Sequence, residues 1–419
     1  MATRQQSLFV LMVVAVAFAT SSLTQLRFGA LPLGVPELVL LGCMLVHLPL
    51  GCGLHVGTTS IRFLAGLFLL YAAMMPGFFL TLITHGLLDD VMHNLVAMTW
   101  VLLVFAYLQF GFDFRRGELE WLCGLVLAFS CVYFAFCLAL AYLAPETVFT
   151  VDELAELNLQ EVRDEDMLAT QRLVGFSKNP NQLGLHAIVA LFFCLRMWRT
   201  AGTIKSTLAL GVILATGYLT GSDSFLLGAA LMIGMAVVFG LLFSGSVYTV
   251  LMLLVPVLVA AAVLYPSIVA RVNTVISAGD QDLSRFALIE NGWLAMLERP
   301  LVGWGPGNWS GLSGPLEFIE AHNSLIDYLT MSGLLGGFVV TFCLGALLLG
   351  ALRARQATLV AGICGVVFFA LFHNALRQPL MWLALFYAAH HVWPLKAAVP
   401  ERRRRRRRHG VPRSRPTTA

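Results

Sequence analysis

Residues 323–352 read NSLIDYLTMSGLLGGFVVTFCLGALLLGAL, a stretch in which apolar residues predominate. A helix of roughly 20 apolar residues crosses a hydrocarbon core about 30 Å thick, so this stretch is long enough to span a membrane. The rest of the chain has the same character. Its 58% hydrophobic and 12% charged residues leave too little polar surface to cover a water-soluble particle of 419 residues. The sequence therefore predicts an all-α integral membrane protein.

Apolar stretches of comparable length recur along the chain, and we count twelve. Each is long enough to cross the membrane as a helix, so we expect about 12 transmembrane helices. The stretches are 8–25, 36–54, 63–84, 94–112, 121–143, 182–198, 206–221, 225–243, 248–266, 323–352, 358–376 and 379–396. All eight cysteines lie in or beside them without metal-type spacing, so we predict no metal site and no disulfide framework. Nucleotide-binding and dinucleotide-binding loops are missing from the sequence, and we expect no cofactor.

Basic residues in the short connections set the predicted orientation, because arginine and lysine are retained on the cytoplasmic side. They fall in alternate connections, which places both termini in the cytoplasm. The residues concerned are Arg62, Arg115, Arg116, Arg196, Arg199, Lys205, Arg353 and Arg355. The two long connections, 144–181 and 267–322, then lie on the opposite face, which in a bacterium is the periplasm. We expect the functional residues there.

The C-terminal tail differs in composition, because residues 402–408 are seven consecutive arginines. Residues 401–419 hold nine of the 27 basic residues and one of the 23 acidic residues, so the remaining body is mildly acidic. We divide the chain into a transmembrane domain, 1–400, and a disordered cytoplasmic tail, 401–419. Such a tail favours binding to anionic membrane lipid, at about 1 kcal/mol per charge, over binding to nucleic acid. Docking of a partner protein is the alternative.

The first long connection begins with many acidic residues. Its apolar residues between 151 and 162 predict a short helix on the membrane surface, and its carboxylates predict either a solvated face or a divalent-cation site. Arg172 and Lys178 precede a turn, Asn179-Pro180-Asn181. We expect Asn181 to cap the helix that follows. An arginine at this boundary either offers a planar fork of donors to two phosphate oxygens or extends toward lipid headgroups.

The second long connection carries Arg271 and then an amphipathic stretch that predicts a helix with Arg285 at its start and Pro300 at its end. Residues 301–309 read LVGWGPGNW, a tight glycine-rich loop whose amides either complete the turn or face an anion. His322 follows, with Glu320 or Asn323 expected to hold its ring. A histidine with an ordinary pKa of about 6.5 suits proton transfer at neutral pH, and such residues also serve as hydrogen-bonded packing groups.

Together these motifs resemble the O-antigen ligase and polymerase superfamily of bacterial envelope glycosyltransferases. The likeness rests on Arg172 with the Asn-Pro-Asn turn, on Arg285 through Trp293 to Pro300-Leu-Val-Gly303-Trp-Gly305, and on His322-Asn323 with Gly333. It covers about residues 170–340 by motif, and the whole chain by the number of spans and the placement of the connections.

The resemblance implies a metal-independent glycosyltransferase of the bacterial inner membrane that uses an undecaprenyl-diphosphate-linked glycan as donor. The glycan moves to an acceptor hydroxyl on the periplasmic face. That hydroxyl belongs to the lipid A core in the ligase branch and to another lipid-linked repeat unit in the polymerase branch. The resemblance assigns Arg172 and Arg285 to the diphosphate and His322 to the acceptor hydroxyl, with phosphate binding as the alternative role of His322. We favour the ligase over the polymerase, and transfer onto protein is a third reading.

One part of the family pattern is missing. After the seventh span the family often has a serine-arginine pair, whereas this chain reads Gly-Ser-Asp-Ser-Phe at 221–225. His373-Asn374 and Arg377, before the last span, are expected either to supply the missing positive charge or to have a structural role. Arg271 and Lys178 are further candidates for diphosphate binding.

A secondary transporter is the alternative from a different class, because twelve spans with cytoplasmic ends also suit such a protein. Transporters commonly place ionisable groups at mid-membrane. Here the predicted spans contain few apart from histidines such as His47 and His186, and the two long connections do not occupy corresponding places in two halves. These features favour the enzyme.

Overall fold

The computed structural model describes residues 4–22, 34–47, 58–112, 114, 117–151, 171–177, 179–244 and 279–393. The described chain is helical apart from short turns and one small sheet. The helices are α1 (Arg4–Ala19), α2 (Val35–His47), α3 (Thr58–Ala72), α4 (Met75–His85), α5 (Asp89–Gly111), α6 (Glu118–Leu143), α7 (Pro180–Ala201), α8 (Thr203–Leu219), α9 (Asp223–Ser244), α10 (Gly279–Glu298), α11 (Ser324–Arg353), α12 (Ala357–Ala370) and α13 (Pro379–Val392). The strands are β1 (Phe149–Val151) and β2 (Gln171–Leu173).

Each predicted span overlaps a helix, except 248–266, which lies outside the described residues. Five helical stretches are long and apolar enough to cross a membrane: Ile61–His85, Asp89–Gly111, Glu118–Leu143, Asp223–Phe243 and Ser324–Arg353. Shorter apolar helices accompany them at Leu8–Ala19, Val35–His47, Thr203–Leu219 and Ala357–Ala370. The chain is therefore a polytopic helical membrane protein, and the total of twelve spans stays a prediction.

The predicted span 63–84 consists of two helices, because the chain breaks between α3 and α4. Pro76 is at the start of α4, where its missing N–H leaves no helical hydrogen bond unmade. Proline fits poorly inside a helix, so the break follows from the sequence. The end of α4 contacts the second long connection, where Thr81 and Thr84 accept hydrogen bonds from Arg299.

Helix α7 lies at the centre of the fold, in contact with α6, α8, α9, α12 and α13. Every residue from 183 to 195 is buried, as expected for a helix that is surrounded on all sides. Helices α9 and α12 approach closely at Gly228 and Gly365, where a side-chain carbon added to Gly365 would lie 3.2 Å from the Gly228 carbonyl oxygen. Small residues at such crossings let helix backbones pack together within a membrane.

His186 and His47, which lie within the predicted spans, are hydrogen-bonded packing residues. His186 is fully buried, with Nδ1 3.1 Å from Ser22 Oγ and Nε2 2.7 Å from Ser130 Oγ. These bonds join α7 to α6 and to the residues that follow α1. His47 Nδ1 lies 3.2 Å from the Tyr107 hydroxyl. Polar side chains in hydrocarbon commonly bond between helices in this way, so neither histidine favours the transporter.

Two features of the connections differ from the sequence predictions. The first connection contains a two-stranded antiparallel sheet in which Thr150 pairs with Arg172, so the fold is not purely α. The surface helix predicted from residues 151–162 lies outside the described residues apart from Val151, which is in β1. In the second connection, α10 begins at Gly279, so Arg285 lies in its second turn and not at its start. Helix α10 ends at Glu298, close to the end predicted from Pro300.

Candidate functional site

The Asn-Pro-Asn turn starts α7, but the capping residue is not the predicted one. Asn179 caps the helix: its side-chain oxygen accepts a hydrogen bond from the Asn181 backbone N–H at 2.8 Å. Asn181 uses its own side-chain oxygen to accept from Arg172 Nη2 at 3.0 Å. The prediction failed by two residues because Pro180 occupies the first helical position, which moves the cap one residue before it.

Arg172 lies in β2, and its hydrogen bonds join the small sheet to α7 and to the end of α8. Besides its bond to Asn181, its Nε donates to the Thr220 carbonyl oxygen at 2.9 Å, just beyond the end of α8. The guanidinium is half-buried and held from two directions. Its position is therefore fixed by α7, α8 and the small sheet, and a fixed guanidinium is suited to orienting a charged group.

His322 lies two residues before the start of α11, in a strained backbone conformation. Its φ is +52°, in the left-handed region that non-glycine residues seldom occupy, and its side chain is exposed. The neighbours predicted to hold its ring are used otherwise. Asn323 caps α11 by accepting from the backbone N–H groups of Leu325 and Ile326, and Glu320 forms an ion pair with Arg377.

Asp327 stabilises the backbone conformation at His322. This side chain is fully buried, and its Oδ1 accepts from the Ala321 backbone N–H at 2.8 Å. The bond fixes the residue before His322 relative to the first turn of α11. Strained residues persist where surrounding structure over-determines them, and they cluster at functional sites.

The connection between α12 and α13 is joined to the same region. Arg377 Nη2 lies 2.7 Å from Glu320 Oε1, and His373 Nε2 lies 2.7 Å from Ser224 Oγ. Ser224 belongs to the stretch that lacks the family's arginine. The described chain thus places a histidine against the serine at that corner, with Arg377 four residues farther along.

These elements enclose a cavity of ≈ 220 Å³. His322 and Arg377 both line it, although they come from different connections. Asn181 also lines it, so Arg172, which is not itself a lining residue, is one hydrogen bond away. The structure therefore brings together three of the predicted site residues: two on the cavity and one behind its wall.

The other predicted site residues are not placed at the cavity. Arg285 is in the second turn of α10, and its side chain is outside the described part of the structure. Arg271 and Lys178 lie wholly outside the described residues. The three remain predictions.

The glycine-rich loop completes a turn and does not present its amides to an anion. The amides of Gly303, Trp304 and Gly305 donate in succession to the Arg299 carbonyl oxygen and to two carbonyl oxygens of α11, at 2.9, 2.8 and 2.9 Å. They meet α11 where it kinks at Gly333. The sequence left two roles open for these amides, completing the turn or facing an anion. For these three amides the first role is confirmed.

Arg299 forms a structural clasp that the sequence did not reveal. Its Nη1 and Nη2 donate to Thr81 Oγ1 at 2.7 Å and Thr84 Oγ1 at 3.2 Å, and its Cζ lies 3.8 Å from the centroid of the Trp304 ring. Partial burial lowers the pKa of Arg299 from its ordinary value. The clasp fixes the glycine-rich loop on α4, the helix that begins after the break at Pro76.

A second void is apolar and larger, with a volume of ≈ 910 Å³. It is a groove between α3, α11, α12 and α13, with Ser324 and Leu325 from the start of α11 and Arg62 from the start of α3 among its lining residues. Its walls are otherwise mainly apolar, and leucine is the most frequent residue. Such a groove accommodates a hydrocarbon chain.

The described residues contain no group of three or more histidine, cysteine, aspartate or glutamate side chains arranged to hold a metal ion. What the cavity offers instead is an arginine, histidines and carboxylates. An arginine stabilises negative charge on a phosphate group, and an imidazole can accept a proton.

A comparison with known protein families finds a match over residues 207–341 to the family described as O-Antigen ligase. The matched segment contains Arg285 and His322 but neither Arg172 nor Arg377. No curated protein matches the sequence. Residues 207–341, from α8 into α11, therefore match the O-antigen ligase family that the motifs predict.

Proposed function

We propose that this protein transfers a glycan from undecaprenyl diphosphate to an acceptor hydroxyl on the periplasmic face of the bacterial inner membrane, as an O-antigen ligase acting on the lipid A core. The observation that carries the proposal is the meeting of His322 and Arg377 on one cavity, with Arg172 held one hydrogen bond behind it. The family match over residues 207–341 supports the same reaction class.

In the proposed reaction the acceptor oxygen attacks the anomeric carbon of the donor sugar. The bond from that carbon to the phosphate oxygen breaks, and the diphosphate leaves with the lipid carrier. His322 Nδ1 or Nε2 takes the acceptor proton as the new bond forms. A positioned base of this kind typically contributes about 10²- to 10⁴-fold in rate.

The leaving diphosphate gains charge, and arginines would stabilise it. Arg377 is paired with Glu320 in this structure, so donor binding exchanges one carboxylate partner for phosphate oxygens. Arg172 holds Asn181 in place and adds positive charge behind the wall. Arg285 is assigned to the same task by the family resemblance.

The apolar groove suits the carrier's polyprenyl tail. It begins at Ser324, two residues after His322, so a tail in the groove would bring its diphosphate to the cavity. The tail then stays in an apolar environment while the charged groups remain at the membrane boundary, where charge costs less than at the bilayer centre.

Deletion of the gene in its native cell tests the function. We expect loss of glycan-capped lipid A core on gels of the lipopolysaccharide, while long lipid-linked glycan accumulates. Accumulation of single repeat units instead would indicate a polymerase, and unchanged glycans would contradict both activities.

Complementation of the deletion with single variants tests the residues. His322→Ala, Arg285→Ala and Arg377→Ala should each abolish transfer at normal protein abundance. Arg353→Ala is the matched control, because Arg353 does not line the cavity, and it should support normal transfer. Near-normal transfer by one of the first three variants would remove that residue from the mechanism.

A further inference from the structure

One part of the cavity wall consists of acidic and uncharged polar side chains and not of cationic ones. Glu37 from the first turn of α2, Trp100 from α5 and Asn374 from the connection before α13 all line the cavity. The proposed diphosphate chemistry uses none of them. Their polar groups include both hydrogen-bond donors and acceptors, which is the first indication of a ligand other than phosphate.

Glu37 presents a carboxylate with spare hydrogen-bonding capacity. It is half-buried, and its Oε2 accepts from the Gly34 backbone N–H at 2.8 Å. Among the described residues Oε1 has no partner. The cavity's other carboxylate, Glu320, is paired with Arg377. A carboxylate oxygen only accepts hydrogen bonds, and it repels a phosphate, so Glu37 requires a ligand that donates.

Asn374 and Trp100 add further unused groups. Both amide atoms of Asn374 and the indole Nε1 of Trp100 are buried and have no hydrogen-bond partner within the described chain. A buried polar group without a partner destabilises the folded protein, and native proteins seldom contain one. Both residues line the cavity, so we assign these groups to a ligand bound there.

The chemistry of these groups selects a hydroxyl-bearing ligand. A diphosphate offers acceptors only, so it cannot satisfy Glu37 or the Asn374 amide oxygen. A sugar hydroxyl both donates and accepts, and the face of an aromatic ring such as Trp100 packs against the apolar face of a sugar ring. The volume of ≈ 220 Å³ is below the roughly 300–1,000 Å³ of sites for drug-sized ligands, so we assign the cavity one sugar residue, with the rest of the glycan outside it.

We propose that Glu37, Trp100 and Asn374 form a subsite that binds the hydroxyl groups of one sugar residue. The inference rests on the proposed glycan transfer and adds to it a place for a single sugar beside the diphosphate. That sugar is either the first residue of the lipid-linked donor or the accepting residue, and both present the same hydroxyl chemistry.

The purified full-length protein in nanodiscs provides the test, with binding measured by native mass spectrometry. The two probes are undecaprenyl diphosphate without sugar and the same carrier bearing the glycan extracted from the cells that make the protein. The variants are Glu37→Gln, which keeps the shape but replaces one carboxylate oxygen, and Trp100→Phe, which removes the indole N–H. Glu146→Gln is the matched control, because Glu146 is exposed and does not line the cavity.

If the subsite holds the donor sugar, both variants weaken binding of the glycan-bearing carrier about tenfold or more and leave the bare carrier unchanged. If it holds the acceptor sugar, both carriers bind normally, and the KM for the acceptor rises about tenfold while kcat stays within about twofold. Unchanged binding and kinetics overturn the proposal, because the buried groups then bind only water. Equal loss for both carriers also overturns it. Failure of the wild-type protein to bind either carrier refutes the proposed function itself, and the subsite with it.

Discussion

Substitution of Gly333 by alanine tests how the glycine-rich loop and α11 hold the site together. Helix α11 kinks at Gly333, where φ is 61° and ψ is −162°. This region of backbone space is essentially restricted to glycine, and a side chain there costs about 1–3 kcal/mol. The kink receives the loop: Leu334 N–H donates to the Pro300 carbonyl oxygen at 2.7 Å.

The steric contribution adds to the backbone strain. A side-chain carbon at Gly333 would lie 2.5 Å from the Leu301 carbonyl carbon, 2.6 Å from its oxygen and 2.7 Å from Val302 N. These are backbone atoms, so no side-chain rotation relieves the overlap, and the loop must move. Overpacking of this kind typically costs about 1–3 kcal/mol. Together the two effects predict a destabilisation of about 2–6 kcal/mol.

Thermal unfolding of the purified protein in detergent measures the effect. At about 2 °C per kcal/mol for a large domain, Gly333→Ala should lower the Tm by roughly 4–12 °C. Gly345→Ala on the same helix is the control, because no atom lies within 4 Å of the added carbon and its backbone is helical. Its Tm should stay the same or rise slightly. A Gly333→Ala protein that melts with the wild type would refute this account of the kink.

Substitutions at three further residues probe the surroundings of the site. Asp327→Ala should leave the Ala321 amide unpaired, lower stability by about 1–3 kcal/mol and reduce glycan transfer; Asp327→Asn, whose amide oxygen still accepts, should restore the Tm and most of the transfer. Arg299→Lys loses the guanidinium fork and its stacking on Trp304, and the Tm should fall by an amount equivalent to about 1–2 kcal/mol. Arg377→Lys keeps a charge but not the planar donor geometry, so in a binding assay it should hold undecaprenyl diphosphate more weakly than wild type and more tightly than Arg377→Ala.

The helices were predictable from the sequence because span length and apolar composition are local properties. The end of α10 near Pro300 and the turn before α7 were predicted for a similar reason, since proline acts on its nearest neighbours. The start of α10 was misplaced: the amphipathic pattern becomes visible at Arg285, six residues after the helix begins at Gly279. Helix ends without a strong local signal are the positions where such patterns fail.

The candidate site was predictable only in part, because its residues meet through tertiary packing. His322 and Arg172 were identified from motifs, and Arg377 from its place before the last span. Glu37 and Trp100 belong to no motif. They line the cavity because α2 packs beside α1 and α5 packs beside α13. No periodicity in a single helix encodes that placement, so Glu37 and Trp100 were missed, whereas Asn374 was named beside Arg377.

The polar cavity and the apolar groove adjoin where α11 begins, and this juxtaposition links the fold to the proposed chemistry. Ser324 lines the groove, and its Oγ donates to the His373 carbonyl oxygen at 2.6 Å and accepts from the Ala375 N–H at 2.8 Å. His373 and Ala375 line the cavity, so one hydroxyl joins the walls of both voids. A lipid-linked donor needs the same division, since its tail must avoid water while its diphosphate must avoid hydrocarbon. The boundary between the polar cavity and the apolar groove lies within two residues of His322, where the bond between sugar and diphosphate would break.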